Sequence, residues 1–294
     1  MNRCIAILLN IGLLSIKSIT FIKKINMKYR LLFVFLLLLS CQVFSQNQDP
    51  VPAHDDFKIE SKEVGETRTI NVWKPSGYDK NSAKFPVLYM ADGGIQEDFP
   101  HVANTLAKLI KSKKIPPVIL VGIENTQRRR DLTGPTEDEE DKKIAPVVGG
   151  SEKFRAFISN ELFTEINKRY RTGNEKGIIG ESLAGLFVME TFLHHSDMFD
   201  FYIAIDPSLW WNKEYEVKTA KESLAGIGKK PKRLWFTSSG EKGISEAVNG
   251  LSQVLKATEM KNVKWKYEKA PGETHATIFR ASKEKALIWT FTTK

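Results

Sequence analysis

Cysteine is nearly absent from this chain: there are two, Cys4 and Cys41, and both precede Gln46. The remainder can form no disulfide within itself, no thiolate metal site and no cysteine nucleophile. Long apolar runs are also missing. The longest, residues 31–39, falls well short of the ~20 residues that a membrane-spanning helix needs, and nothing after it comes close. Basic excess is local. The sequence has 44 basic and 35 acidic side chains, but Arg3, Lys17, Lys23, Lys24, Lys28 and Arg30 lie within residues 1–45, which hold no acidic group. The other 38 basic groups face all 35 acidic ones, a net charge of +3 that offers no basic footprint for nucleic acid.

Residues 1–45 have the composition of a leader rather than of a fold. From Met27 the sequence runs Met-Lys-Tyr-Arg, then the apolar run, then small and polar residues up to Gln46. That is the charged, apolar, cleavable order of a secretory signal. A second apolar and basic stretch, residues 1–26, lies in front of it, and this layout predicts a translation start at Met27. Val43-Phe44-Ser45 suits ordinary signal peptidase, whereas Leu38-Leu39-Ser40-Cys41 resembles a lipobox whose Cys41 would carry a lipid anchor. Either route predicts an exported protein, periplasmic, secreted or held at the outer membrane. Residues 46–54 read as a polar linker.

Residues 55–294 show no repeat and no low-complexity break, and are expected to form a single domain. Residues 57–64 and 67–72 alternate like an antiparallel pair. Buried-strand runs and helical patterns then take turns: strand 85–90, helix 102–111, strand 117–123, helix 153–170, strand 177–179, and a helix from Ser182. Strands at 202–205 and 233–237, a helix at 245–258, a strand at 263–268 and a helix from Ala281 complete the series. Such an order predicts an α/β fold with a mostly parallel sheet and helices on both faces. Residues 125–150 have no period and form a long connection, a length usually associated with lids and binding loops.

The predicted strand 177–179 runs directly into Gly180-Glu181-Ser182-Leu183-Ala184-Gly185 and then into an apolar helix. This is the strand, tight turn and helix that a nucleophile elbow requires. Ser182 is the expected nucleophile, and the Leu183 N–H faces the developing oxyanion. Ala184 stands where a second glycine is usual. Of five histidines, His54 and His101 precede the serine, contrary to the Ser, acid, His order of α/β-hydrolases. His194 and His195 end the elbow's own helix, where they would cap carbonyls. His275, in Pro271-Gly272-Glu273-Thr274-His275 after the last strand, is the expected general base. Glu241, at the end of strand 233–237, is the expected orienting carboxylate, with Glu246 and Asp206 as alternatives. A second oxyanion donor should come from Ala91-Asp92-Gly93-Gly94, with Gly94 the choice.

These motifs resemble the esterase family of α/β-hydrolases that includes enterochelin esterases, feruloyl and acetylxylan esterases, S-formylglutathione hydrolases and mycolyltransferases. The resemblance covers about residues 60–292. Its carriers are residues 86–93, Val121-Gly122-Ile123-Glu124-Asn125, Arg128-Arg129-Arg130-Asp131-Leu132-Thr133, the elbow, Asp206-Pro207-Ser208-Leu209-Trp210-Trp211-Asn212 and Gly272-Glu273-Thr274-His275. The arginine stretch and the paired tryptophans are most similar to the siderophore-esterase branch. Asp206 departs from the pattern, standing where serine is common. Some members of that branch are thought to work with a Ser-His pair.

The resemblance implies an α/β-hydrolase fold and a serine esterase acting through an acyl-enzyme, on a siderophore-like trilactone or on a feruloyl or acetyl ester of a polysaccharide. It implies no metal and no organic cofactor, and its partners are small-molecule or glycan esters rather than nucleic acid. A family member that binds without cleaving is the non-enzymatic alternative. Trp211, as a wall for aromatic rings, and Arg130, as a cationic contact, are the expected substrate residues, the alternatives being packing for one of the two tryptophans and a pairing of Arg130 with Asp131 or a neighbour.

Overall fold

The computed structural model describes residues 49–80 and 82–293. Met27, Cys41 and the rest of the leader lie outside the described residues. Pro50–Lys294 form one compact unit.

Eight strands make one sheet: β1 (Asp55–Glu60), β2 (Thr67–Trp73), β3 (Phe85–Met90), β4 (Ile119–Ile123), β5 (Thr172–Glu181), β6 (Phe201–Ile205), β7 (Lys232–Ser238) and β8 (Val263–Lys269). Their spatial order is β1-β2-β4-β3-β5-β6-β7-β8. Only the β1–β2 and β2–β4 pairings are antiparallel; from β4 to β8 every pairing is parallel. The parallel strands inside the sheet edge, β3 to β7, bury both faces, so successive residues alternate between two cores. Val87 and Tyr89 of β3, Tyr202 and Ala204 of β6, and Leu234 and Phe236 of β7 point into one; Leu88, Met90, Phe201, Ile203 and Trp235 point into the other.

The helices follow that division. On the second face lie α1 (Phe99–Lys111) and the last helix of the chain, Ile278–Thr292, which contribute Phe99, Val102, Leu106, Ile278 and Leu287. Two short helices, α2 (Arg128–Asp131) and α3 (Glu139–Ile144), occupy the connection that lacked any period. The first face is covered by α4 (Ser151–Ala156), which continues through a π-helical turn, Phe157–Leu162, into α5 (Phe163–Arg169), and by α6 (Leu183–His194). Beyond them, α8 (Lys242–Ala257) covers β7 and α7 (Trp211–Ala225) packs between α6 and α8, so Ile278–Thr292 is α9.

The expected strands fall on the observed ones, with β5 longer than its apolar centre. Helix α7 was not expected. Its sequence is mostly polar, it buries only Trp211, Glu216, Ala220 and Leu224, and it opens with three left-handed residues, Asn212, Lys213 and Glu214. A helix held by so few apolar side chains leaves little periodicity to read. Among the described residues, no helix is long and apolar enough to cross a membrane.

Candidate active site

The carboxyl ends of the parallel strands carry the chemistry, as the topology of open α/β sheets favours. Strand β5 ends at Glu181 and α6 begins at Leu183, so Ser182 alone makes the turn, with φ 60° and ψ −121°. A non-glycine residue held there costs on the order of 1–3 kcal/mol. Three main-chain bonds offset that cost. The Ser182 N–H donates to Ile205 O at 3.1 Å, and its carbonyl accepts from Leu186 N at 2.9 Å and Ser208 N at 3.1 Å. Ala184 replaces the usual glycine without obstruction because its partner across the turn has no side chain. A Cβ on Gly180 would lie 2.8 Å from the Ala184 methyl and 2.5 Å from its carbonyl.

Ser182 Oγ lies 2.9 Å from His275 Nε2, and His275 Nδ1 lies 2.7 Å from Asp206 Oδ2. The three come from the ends of β5, β6 and the loop after β8. Asp206 is fully buried and has φ 47°, its N–H held by Thr237 O at 3.0 Å. Its second oxygen accepts from the Ser239 N–H at 2.6 Å, so the carboxylate is fixed from both sides. His275 has its pKa raised above the ordinary value: the hydrogen bond to Asp206 dominates, burial opposes it, and Glu181 and Glu241 add to it. With Nδ1–H pointing at Asp206, the Nε2 lone pair faces the serine hydroxyl.

Glu241, expected on the imidazole, is instead bound to the backbone. Its Oε1 accepts the His275 main-chain N–H at 2.8 Å, and Glu246 is exposed, facing Lys242. The carboxylate that meets the ring is Asp206, and the physical reason lies in the sheet. Strand β6 lies between β5 and β7, so its end opens directly beside Ser182. The loop bearing His275 is drawn across by Gly240, whose N–H donates to Glu273 O at 2.9 Å and whose missing Cβ would lie 2.5 Å from Pro271 O.

The expected oxyanion donors differ in availability. Leu183 opens α6, where the first N–H groups have no acceptor within the helix. Gly94 is not free: its N–H donates to Glu97 Oε2 at 2.7 Å. Asn125 holds the same carboxyl group, through Nδ2 to Oε1 at 2.9 Å. Burial pushes the Glu97 pKa up, the Gly94 N–H opposes that, and Asp92 adds to it.

Both expected substrate residues have partners within the chain, and Trp211 also lines a cavity with Glu190, His194 and Asn212. Arg130 bonds Asp131 at 2.7 Å and Glu66 at 2.6 Å, and Asp131 in turn holds Arg68, which is 1% exposed. Trp211 is 4% exposed and belongs to the first-face core. Its neighbour Trp210 is only partly buried, 6.0 Å away between ring centroids. Arg128, two residues before Arg130, pairs with both oxygens of Asp92, at 2.6 and 2.8 Å, just past the end of β3.

The remaining histidines lie outside this constellation: His54 packs on Phe99, while His101, His194 and His195 pair with Asp98, Glu216 and Glu152. Sequence reasoning overlooked Glu181, whose Oε1 lies 3.4 Å from His275 Nε2. A carboxylate directly before the nucleophile was its only signal. Among the described residues, no cluster of three or more His, Cys, Asp or Glu side chains is placed to hold a metal ion.

The strand order and the strained serine turn after β5 define an α/β-hydrolase fold. Residues 61–289 match the family described as "Putative esterase", and the chain belongs to it. Ferri-bacillibactin esterase BesA of Bacillus subtilis (strain 168) is 31% identical over 194 residues, 59% of this chain and 65% of that protein. The chain thus spans just under two thirds of that relative. Apo-salmochelin esterase of Escherichia coli O6:H1 is 26% identical over 248 residues, 76% of each. An IroE-like serine hydrolase from Shewanella oneidensis superposes with a TM-score of 0.75 at 25% identity, covering 81% of this chain and 80% of that one.

Proposed function

We propose that this chain is an exported serine esterase that hydrolyses siderophore-type esters through an acyl-enzyme. One observation carries the chemistry: the unbroken line from Ser182 Oγ through His275 to a buried Asp206, at 2.9 and 2.7 Å. Ser182 Oγ attacks the ester carbonyl while its proton passes to His275 Nε2. Asp206 keeps the ring in the tautomer that can accept that proton, and stabilises the imidazolium. The Leu183 N–H meets the oxyanion, and Gly94 joins it once Glu97 has left its N–H. Collapse of the tetrahedral intermediate passes the Nε2 proton to the departing alkoxide. Water then repeats the sequence on the acyl-enzyme and releases the acid.

The substrate class rests on the relatives, since proteins named for bacillibactin and salmochelin esters match 59% and 76% of this chain. Trp210, partly buried after β6, supplies an aromatic surface suited to catechol rings. Export rests on the composition of residues 27–45. Side-by-side hydrolysis of a catechol trilactone, methyl ferulate and an acetylated xylan tests the reading. The trilactone should be cleaved with the highest kcat/KM; preference for either of the others would replace the siderophore assignment with a polysaccharide-ester one.

A further inference from the structure

His275 is surrounded by three carboxylates, and only one of them is accounted for by a conventional triad. Asp206 takes Nδ1 and Glu241 takes the main-chain N–H. The third, Glu181, lies on the other side of the ring, its Oε1 3.4 Å from Nε2. That nitrogen is the one that exchanges the proton with Ser182 Oγ, 2.9 Å away. Glu181 is the last residue of β5, so the backbone that fixes the nucleophile also fixes this carboxylate. Its side chain is 16% exposed.

We propose that Glu181 is a positioning residue for acyl transfer, whose carboxylate holds the Nε2–H of His275 while the proton is in transit between Ser182 and the leaving group. The inference rests on the esterase reading above. When Ser182 Oγ bonds to the ester carbon, its proton moves to Nε2, and the imidazolium then has a carboxylate at each nitrogen. When the carbon–oxygen bond of the ester breaks, the same proton leaves Nε2 for the alkoxide. Glu181 gains and loses no proton over the turnover. It stabilises the cation that exists only between the two transfers, which accelerates the chemical step.

The surroundings of Glu181 make its charge conditional. Burial pushes its pKa up to about 7, with Asp98 and Asp92 adding to the rise and His275 and Arg128 opposing it. Around the imidazole, Asp206, Glu181 and Glu241 all favour the protonated ring against burial. Glu181 and His275 therefore titrate as a pair, with apparent values that belong to both. In the competent state the carboxylate is charged and the ring neutral, and alkaline pH favours it. As pH falls, a proton enters the pair and either silences the base or removes the second partner of Nε2.

The test is the pH dependence of kcat/KM for p-nitrophenyl butyrate in the wild type, Glu181→Gln and Ser182→Ala, with the pH-dependent rate of fluorophosphonate labelling measured alongside. Removing a negative charge at this distance lowers the pKa of a neighbouring cation by about 1 unit or more. Glu181→Gln should therefore move the acid limb of both profiles to lower pH by about one unit. Its alkaline plateau should fall about tenfold, a loss of transition-state stabilisation near ~1.4 kcal/mol. An acid limb that stays in place, whatever the plateau does, would overturn the proposal and leave Glu181 as packing. Turnover that survives Ser182→Ala would instead sink the esterase reading. Labelling that persists without turnover still reads the pair, because it needs only the activated serine. Thermal melting of each variant accompanies the profiles, and a fall in plateau with an unmoved limb counts against the proposal even when the variant is folded.

Discussion

Two acidic side chains reach the same histidine by different atoms: Asp206 Oδ2 lies 2.7 Å from the His275 ring nitrogen Nδ1, and Glu241 Oε1 lies 2.8 Å from the His275 main-chain nitrogen. The first bond sets the tautomer and charge of the ring; the second sets the position of the loop that carries it. Asp206→Asn should therefore lower kcat for p-nitrophenyl acetate by as much as ~10⁴. Glu241→Gln keeps an acceptor for the main-chain N–H and should cost no more than about tenfold, an exposed neutral bond for a charged one. Steady-state kinetics of the two variants decide between them, and a larger loss in Glu241→Gln would return the acid to the end of β7.

Ser182→Ala and His275→Ala should each bring hydrolysis close to background. Because the pair acts as a unit, the double variant should be hardly worse than either single one. Ser182→Ala also removes a hydroxyl from a turn whose strained conformation remains, so its melting temperature should stay near that of the wild type. Additive losses in the double variant would show that the two side chains work separately.

Glu97 presents a carboxyl group to the N–H that an oxyanion would need. Weakening that bond from charged to neutral in Glu97→Gln is worth about 1 kcal/mol, so kcat for p-nitrophenyl acetate should rise severalfold. A fall in kcat would mean that Glu97 supports the loop through Asn125 more than it blocks Gly94.

The two tryptophans should separate cleanly. Trp211 is 4% exposed within the core, and truncation to alanine should destabilise the fold by about 3–5 kcal/mol, read by chemical denaturation. Trp210→Ala should cost less stability and raise KM for a catechol trilactone, while p-nitrophenyl acetate hydrolysis changes little. Equal kinetic losses on both substrates would assign Trp210 to packing as well.

Arg130 is partly exposed and ties Glu66, also partly exposed, to the buried Asp131, which keeps Arg68 as its other partner. Arg130→Ala should lower stability by about 1 kcal/mol and leave KM for every ester unchanged. A raised KM for an anionic siderophore ester alone would restore its expected role as a substrate contact.

Local pattern determined much of this protein. Short apolar runs separated by turns marked the strands from β3 to β7, because a strand buried on both faces can be built from little else, whereas the edge strand β8 showed only alternation. Ser182 was legible because it follows a strand end in a turn whose Gly180 and Gly185 have a steric purpose; His275 was legible from its place in the chain order, in the loop after the last strand. What sequence could not decide was which strand ends become neighbours. Glu241, Glu246 and Asp206 are all carboxylates that follow a strand, and only the order β5-β6-β7 puts Asp206 next to the serine. Glu97 on the Gly94 N–H was hidden likewise, and pattern alone does not choose between packing and ligand contact for Trp211, or between Asp131 and a ligand for Arg130. Each depends on where a side chain turns once the sheet has closed, and a polar atom in a chain of letters does not reveal which buried partner will satisfy it.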